Sequence, residues 1–311
     1  MNVGTGVSGS SLGSRGAAAA GRQPDREPPV SRQEPATEDT AAVAERVRAA
    51  LGSARVAVLT GAGLSTDSGI PDYRGPDSPP REPMTYQQFV SSAAFRRHYW
   101  ARNHLGWRHM GDARPNEGHR ALARLEREGV LSGLITQNVD TLHQAAGSRH
   151  VIDLHGRYDR VICLTCRRVT GRAALADRLA TLNPEFTAEH ADVEVAPDAD
   201  AAVASTEGFR VADCDSCGGI LKPDIVYFGE NVPKDRVERA YALVDRADAL
   251  LVAGSSLTVW SGLRFVRRAA RRGTPVVIVN RGPTRGDGLA TLKAETGCSP
   301  LLRALSEFYA V

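Results

Sequence analysis

Lysine and long apolar runs are both scarce in this chain of 311 residues. Of its 39 basic residues only Lys222, Lys234 and Lys293 are lysine, an excess of arginine that is typical of a GC-rich, bacterial-type genome and carries no functional weight. No run of about 18 apolar residues occurs, so we expect no transmembrane helix. The net charge of +3 is small for this length and gives no reason to predict nucleic-acid binding. We therefore expect a cytoplasmic protein with neither membrane nor nucleic-acid partners.

Cysteine is too scarce for a disulfide framework, and its spacing indicates another use. Four of the five cysteines form two C-x-x-C pairs, Cys163 with Cys166 and Cys214 with Cys217. Without a secretory signal, such pairs are typical of metal or redox chemistry. Four thiolates in two chelating hairpins favour a closed tetrahedral zinc site over a redox pair. We predict one structural Zn²⁺, and the long segment between the pairs predicts one or two inserted helices.

The first 40 residues contain almost no bulky apolar side chains, so we predict a disordered tail over residues 1–40. Asp25, Glu27, Glu34 and Glu38 argue against a mitochondrial presequence. From Thr40 the apolar spacing becomes helical, and Gly52 ends that helix.

Short apolar runs then alternate with helix-compatible segments, a pattern that predicts an α/β fold with a doubly wound parallel sheet. The segment with the cysteine pairs interrupts this alternation and predicts a smaller inserted module. We place a Rossmann-like domain at 41–156 and 222–311, and the zinc-binding module at 157–221. The apolar runs are residues 55–60, 131–137, 250–254 and 275–280.

The first apolar run leads directly into Gly61-Ala62-Gly63. A glycine-rich turn after a strand lets backbone N–H groups approach a pyrophosphate. The dinucleotide fingerprint requires a third glycine where Thr66 stands. By itself this turn therefore leaves a dinucleotide site and an ordinary strand-to-helix turn equally open.

Further motifs follow in a fixed order. They are GAGLSTDSGIPDYRG at 61–75, TQNVD at 136–140, LHQAAG at 142–147, LHG at 154–156, the two cysteine pairs, KPDIVYFGE at 222–230, GSSL at 254–257 and VN at 279–280. In this order the chain resembles the sirtuins from Val56 to Cys298. Tyr73, YWARNHLGW at 99–107 and GPTRGDGLA at 282–290 resemble class II sirtuins, which include mitochondrial and bacterial members.

The resemblance implies an NAD-dependent protein lysine deacylase of the deacetylase type. Such an enzyme consumes NAD as a co-substrate, moves the acyl group from lysine to ADP-ribose and releases nicotinamide. His155 is the implied general base, because a neutral imidazole with a pKa near 6.5 can take a proton from a ribose hydroxyl. Asn138 and Asp140 are the other implied catalytic side chains. The implied NAD contacts are Gly61, Ala62, Gly63, Ser65, Asp67, Asp72, Tyr73, Arg74, Gln137, Asn138, Val139, Asp140, Gly254, Ser255, Ser256, Asn280, Arg281, Gly282 and Cys298.

Two groups of residues bear on the substrate. In sirtuins the edge of the PDIVYFGE segment pairs with an extended acyl-lysine peptide, which implies contacts at Val226, Gly229 and Glu230. Tyr99 and Arg102 share a helix face and match the Y-x-x-R that binds acidic acyl groups in some class II sirtuins. An ordinary structural pair is equally compatible with that spacing.

Two other functions use the same motifs. Mono-ADP-ribosyl transfer would employ the same NAD site with another nucleophile, and a non-enzymatic zinc module would only sense NAD. The sequence offers no separate acceptor-activating carboxylate for ADP-ribosyl transfer, and a sensing module would not require His155 beside a complete TQNVD, so the deacylase is favoured. We expect a monomer whose partners are proteins that carry acyl-lysine.

Overall fold

The computed structural model describes residues 39–52, 55–72, 83–189 and 205–309, with backbone alone at 108–109 and 187–189. Apart from Asp39 and Thr40, the tail predicted over residues 1–40 lies outside the described residues. So do Tyr73 and Arg74, two of the implied NAD contacts.

The strands and helices alternate through most of the chain. The strands are β1 (Val56–Thr60), β2 (Leu131–Thr136), β3 (Val151–Asp153), β4 (Gly156–Cys163), β5 (Val169–Gly171), β6 (Leu221–Ile225), β7 (Ala249–Ala253), β8 (Val276–Val279) and β9 (Leu292–Ala294). The helices are α1 (Thr40–Leu51), α2 (Tyr86–Ser91), α3 (Ala93–Asp112), α4 (Glu117–Arg127), α5 (Leu142–Ala145), α6 (Arg172–Leu182), α7 (Pro184–Glu189), α8 (Lys234–Arg246), α9 (Trp260–Arg271) and α10 (Cys298–Glu307).

A parallel six-stranded sheet has the order β3-β2-β1-β7-β8-β9. Counted within this sheet alone, the order is 3-2-1-4-5-6, the arrangement of doubly wound dinucleotide-binding folds. Every residue of β1, β7 and β8 is buried, which is why these strands are continuous apolar runs in the sequence. The predicted fold class is therefore confirmed.

Helices cover both faces of this sheet, and alternate residues of each strand point to opposite layers. Val56 and Val58 of β1 pack with α1, α4 and α10. Ala57 and Leu59 pack on the other side with α8 and α9. Complete burial of a large apolar side chain contributes about 1.5–3 kcal/mol, so two such layers hold the sheet rigidly. No helix in the described part of the chain is both long and apolar enough to cross a membrane.

A smaller antiparallel sheet, β5-β4-β6, carries the cysteine pairs. Helices α6 and α7 lie between the two pairs in the chain, as the cysteine spacing predicted. Strand β6 pairs with β4, so the domain boundary predicted at residue 222 falls inside a strand of the smaller sheet. Tyr99 and Trp100 of α3 also pack with Val161 of this sheet, although the predicted boundaries assigned α3 to the larger domain.

Arg172 of α6 joins this helix to α3 through hydrogen bonds and cation–π contacts. Its side chain is almost fully buried, at 1% exposure, and its guanidinium carbon lies 5.3 Å and 5.0 Å from the ring centres of Trp100 and Trp107. Its Nε and Nη2 donate to Asn103 Oδ1 at 3.2 Å and 3.0 Å. Burial lowers the pKa of Arg172 to about 10, so the guanidinium remains charged at neutral pH. Cation–π contacts of this kind compensate part of the desolvation cost.

Candidate active site

A cleft of about 490 Å³ opens at the carboxyl ends of β1, β2, β7 and β8. Strand β1 lies at the centre of the sheet, with β2 on one side and β7 on the other, so the strand order reverses direction there. Open α/β sheets bind their ligands at such a topological switch point, outside the carboxyl ends of the strands. The volume lies within the range of small-molecule sites. The predicted residues that line the cleft are Gly61, Ala62, Gly63, Ser65, Asp72, Gln137, Asn138, Val139, Asp140, His155, Val226, Gly229, Glu230, Gly254, Ser255, Ser256, Asn280 and Arg281.

Bare backbone forms the part of the cleft between β1 and β7. Gly63 N–H donates to the Gly254 carbonyl at 2.9 Å. A Cβ atom on Gly61 would lie 2.7 Å from that carbonyl oxygen, and one on Gly254, whose φ is +66°, would lie 2.3 Å from Leu64 N. Side chains at these positions would separate the two loops. A surface of this kind fits a dinucleotide pyrophosphate, which must approach the main chain closely.

Asp140 anchors a polar network on the β2 side of the cleft. Its carboxylate accepts hydrogen bonds from Ser65 Oγ at 2.7 Å and Leu142 N at 2.9 Å. The Asn138 amide donates to Ser65 Oγ and to the Gly61 carbonyl, both at 3.0 Å. Asp140 is 5% exposed, and this burial raises the pKa of its carboxyl. The network fixes the Asn138 side chain at the edge of the glycine turn.

The remaining polar groups come from the ends of the neighbouring strands. Ser255 Oγ, after β7, donates to Gln137 Oε1, after β2, at 2.6 Å. Asn280, after β8, donates from Nδ2 to the carbonyls of Arg281 and Gly282 at 2.7 Å and 3.2 Å. These side chains, predicted from separate motifs, therefore meet at one edge of the sheet.

His155 lies partly exposed in the cleft and makes two hydrogen bonds. Its Nδ1 is 2.9 Å from the Gln137 carbonyl and its Nε2 is 2.8 Å from Ser261 Oγ. Because a carbonyl can only accept, Nδ1 carries the hydrogen and Nε2 presents its lone pair. Burial lowers the pKa of His155 to about 4, opposed by the Gln137 carbonyl and assisted by Arg236 and Arg264. The imidazole is thus neutral, as a general base must be, over a wider pH range than its ordinary pKa near 6.5 would give.

Two further histidines are buried beneath the cleft. The rings of His119 and His143 lie 4.8 Å apart, and His143 Nε2 is 2.9 Å from Thr60 Oγ1 at the end of β1. Burial lowers the pKa of His119 to about 4 and that of His143 well below its ordinary value. Both rings are therefore neutral in the folded protein at neutral pH.

We expect acidification to destabilise the fold through these two rings and through His155, because burial lowers the pKa of all three. In the unfolded chain they titrate near pH 6.5 and in the folded chain at lower pH, so the unfolded state binds more protons in between. Stability should be complete above about pH 6.5 and fall as the pH drops toward 4. For His119 the shift amounts to about 3 kcal/mol, since each pKa unit is worth about 1.4 kcal/mol.

Chemical denaturation at several pH values tests this expectation. His119 is the third residue of α4 and closes a capping box with Asn116, a place where glutamine is a usual residue. His119→Gln should keep the cap and flatten the slope of unfolding free energy against pH. The raised pKa of Asp140 makes the fold more stable as the pH falls, the opposite of the histidine effect. We expect the same Asp140 contribution in wild type and in His119→Gln, so it should not affect their comparison. An unaltered slope would contradict the assignment.

The four paired cysteines form a second site. Their Sγ atoms all lie within 4.8 Å of one another, with Cys163 and Cys217 at 3.5 Å and Cys166 and Cys214 at 3.8 Å. Four sulfur ligands at this spacing fit a tetrahedral zinc ion that leaves no position open for substrate. None of the four is among the described residues that line the cleft.

Some predicted site residues are not among the described residues that line the cleft. Asp67 lies in an exposed 3-10 turn, and Gly282 contributes its carbonyl to Asn280. Cys298 is buried at the start of α10, 3.6 Å from the Val279 carbonyl, and burial raises its pKa to about 12. Tyr99 is 3% exposed within an aromatic cluster with Tyr227 and Phe89. Arg102 is 3.0 Å from His98 Nε2.

Trp260, Ser261 and Arg264, at the start of α9, also line the cleft, and none of them was predicted from the sequence. The available signal was their position just after the GSSL loop, where a helix must begin near the ligand edge of the sheet. Sequence spacing gives no reason to pair Ser261 with His155, because 106 residues separate them.

This chain is similar to known proteins of one family. A model of the Sir2 family matches residues 61–261. NAD-dependent protein deacetylase 1 of Mycobacterium avium (strain 104) is 65% identical over 262 residues, covering 83% of this chain and 93% of the relative. The NAD-dependent protein deacetylase 1 of Streptomyces coelicolor is 53% identical over 275 residues, covering 88% and 91%.

Two solved structures show the same architecture. A Sir2 complex with a p53 peptide and NAD+ aligns with a TM-score of 0.61 and 33% identity over 85% of this chain and 97% of that chain. A Sir2 complex with an inhibitor, 2'-O-acetyl-ADP-ribose and a deacetylated p53 peptide aligns with a TM-score of 0.65 and 32% identity over 85% and 98%.

Proposed function

Because the chain belongs to the Sir2 family, we propose that it is an NAD-dependent protein deacetylase that removes acyl groups from lysine and releases nicotinamide. The observation that carries this proposal is His155, a neutral imidazole whose Nε2 lone pair lies at the cleft built for a dinucleotide. Its macromolecular substrates are acyl-lysine proteins. The monomeric state, the cytoplasmic location and the lack of a nucleic-acid partner remain predictions from the sequence.

Bound NAD supplies an electrophilic ribose carbon, a nicotinamide leaving group and ribose hydroxyls. The backbone of the Gly61–Gly63 turn binds the pyrophosphate, and Gln137, Asn138 and Asp140 orient the nicotinamide half. Ser255 and Asn280 hold the ribose and phosphate groups beyond β7 and β8. His155 would be the final acceptor of the proton lost by a ribose hydroxyl, and that hydroxyl oxygen would then attack the acyl carbon. Each of these roles is a proposal for this chain.

The acyl-lysine peptide binds along the segment that follows β6. Val226 N–H donates to the His155 carbonyl at 2.7 Å, so this segment and the base are joined directly. The Glu230 carboxylate accepts from Tyr227 N at 2.9 Å and from Lys222 Nζ at 3.1 Å. We propose that these bonds hold the Gly229–Glu230 turn in shape, while its backbone pairs with the peptide.

A screen of acyl peptides tests the activity and its acyl preference together. The purified protein should release nicotinamide only when NAD and an acyl-lysine peptide are both present. Acetyl, succinyl, glutaryl and longer acyl peptides are compared in wild type, Arg102→Ala and the control Arg97→Ala on the same helix.

If Arg102 binds acidic acyl groups, Arg102→Ala should lower succinyl and glutaryl removal by about tenfold or more, as expected for a lost charge-assisted hydrogen bond, and spare acetyl removal. Equal effects on all acyl groups would reject that role for Arg102. An absence of acyl-dependent nicotinamide release from wild type would reject the deacetylase itself.

A further inference from the structure

The first turn of α9 reaches the catalytic histidine because Gly262 allows a close approach. A Cβ atom at Gly262 would lie 2.7–2.9 Å from the side-chain amide of Gln137. Gly262 of α9 thus lies next to Gln137, the residue that follows β2, and Ser261 Oγ lies 2.8 Å from His155 Nε2. Both side chains line the cleft.

Hydrogen-bond chemistry fixes the direction of this contact. Nδ1–H of His155 is directed at the Gln137 carbonyl, so Nε2 has a lone pair and no hydrogen. The Ser261 hydroxyl must therefore donate to Nε2. Nε2 has a single lone pair, and Ser261 already occupies it. A proton from a substrate hydroxyl cannot reach Nε2 directly while Ser261 keeps this position.

We propose that Ser261 relays the proton from the substrate ribose hydroxyl to His155, an inference that rests on the proposed deacetylase function. The ribose O–H bond breaks and its proton binds Ser261 Oγ, while the original Ser261 proton moves to Nε2. After nicotinamide has left, the electron pair on the ribose oxygen forms a bond to the acyl carbon, and the double bond between that carbon and the lysine nitrogen opens and leaves its electron pair on the nitrogen. Serine is neutral before and after the step, and His155 ends as the imidazolium. A hydroxyl suits this role because it donates and accepts at the same time.

The surroundings of the ring make its charging costly and favour a well-placed relay. The charged groups that act on His155 are Arg236 of α8 and Arg264 of α9, both cations. Arg236 is paired with Asp224 at 3.0 Å, whereas Arg264 lines the cleft. An imidazolium must form beside them, so both cations oppose the protonation of His155 that completes the transfer.

Single-turnover kinetics of Ser261→Ala, with Ser261→Thr as the conservative variant, test the relay. Exchange of labelled nicotinamide into NAD precedes the proton transfer and should stay near the wild-type rate in both variants, which also reports that the site is folded. Deacylated peptide should form roughly tenfold to a hundredfold more slowly in Ser261→Ala, within the range of general-base effects. Ser261→Thr should restore most of that rate. Ser91→Ala, whose hydroxyl donates to the Gln88 carbonyl of its own helix at 3.2 Å, is the matched control.

The solvent isotope effect adds a measurement that a merely structural role would not change. In mixtures of H₂O and D₂O, a relay moves two protons, so the wild-type rate should vary as a curve with deuterium content. Ser261→Ala should give a straight line. The relay would be overturned if the wild-type rate varied linearly with deuterium content and Ser261→Ala had the same rate as wild type. An inactive wild type would instead overturn the proposed function, so the two failures are distinguishable.

Discussion

Replacing His155 with alanine should lower acyl-lysine removal by about 10²- to 10⁴-fold, the contribution of a positioned general base. This corresponds to about 3–5 kcal/mol of transition-state stabilisation. The expected loss follows from the neutral Nε2 at the cleft and from the lack of a second imidazole among the described residues that line it. Turnover is measured as deacylated peptide and as nicotinamide release. His155→Tyr should lose activity as well, because a phenol with a pKa near 10 is a poor base at neutral pH.

The matched control is His150→Ala. His150 is exposed, pairs with Glu126 at 2.7 Å and does not line the cleft, so its loss should leave turnover unchanged. Full deacylation by a folded His155→Ala protein would remove the basis of the deacetylase proposal. Retained NAD binding and biological function without turnover would favour the NAD-sensing module. Transfer of adenine-labelled ADP-ribose to a protein, without any acyl substrate, would favour ADP-ribosyl transfer.

The sequence predicted the centre of the larger sheet well because of how that sheet is buried. Strands β1, β7 and β8 are covered on both faces, so their burial appears as continuous apolar runs. The edge strands β3 and β9 have three residues each and are only partly buried, and they left no such run. Strand β6 pairs with β4 and belongs to the smaller sheet, although the predicted domain boundary placed its residues from Lys222 onward in the larger domain. Its sequence could not predict this, because the choice of pairing partner depends on tertiary contacts.

The same distinction applies to the candidate site. Side chains directly after strand ends were predictable, because parallel strands bring their carboxyl ends to one edge. Helix periodicity placed Tyr99 and Arg102 on one face but could not identify what packs against that face. Tyr99 packs into the aromatic cluster with Tyr227. The bond between Ser261 and His155, and the lowered pKa of His155, arise from packing between distant segments and have no local signal.

Removal of zinc should unfold the smaller sheet while the six-stranded sheet keeps its structure. Structural zinc in small domains contributes about 10–16 kcal/mol of binding free energy, as much as the whole stability of a typical domain. Cys163 and Cys214 belong to the apolar cluster that joins this sheet to α3, so loss of the ion would expose that cluster as well. The larger sheet has its own two apolar layers, and neither layer contains any of the four paired cysteines.

Metal analysis, calorimetry and activity assays on Cys214→Ser and on chelator-treated protein test this expectation. One zinc per chain should be lost and the thermal transition should split. Deacylation should cease, because Ile225, the last residue of β6, and the segment that follows it line the cleft. Cys298→Ser is the matched control: its thiol lies beside the Val279 carbonyl, far along the chain from the pairs, so zinc content should stay at one. A zinc-free protein with an unchanged thermal transition and full activity would contradict the structural role.

A disulfide between the pairs, in place of zinc, would support redox chemistry. The four paired cysteines would fill the coordination of the ion, and none of them is among the described residues that line the cleft. We therefore expect zinc to affect catalysis indirectly, by holding in place β6 and the cleft residues that follow it.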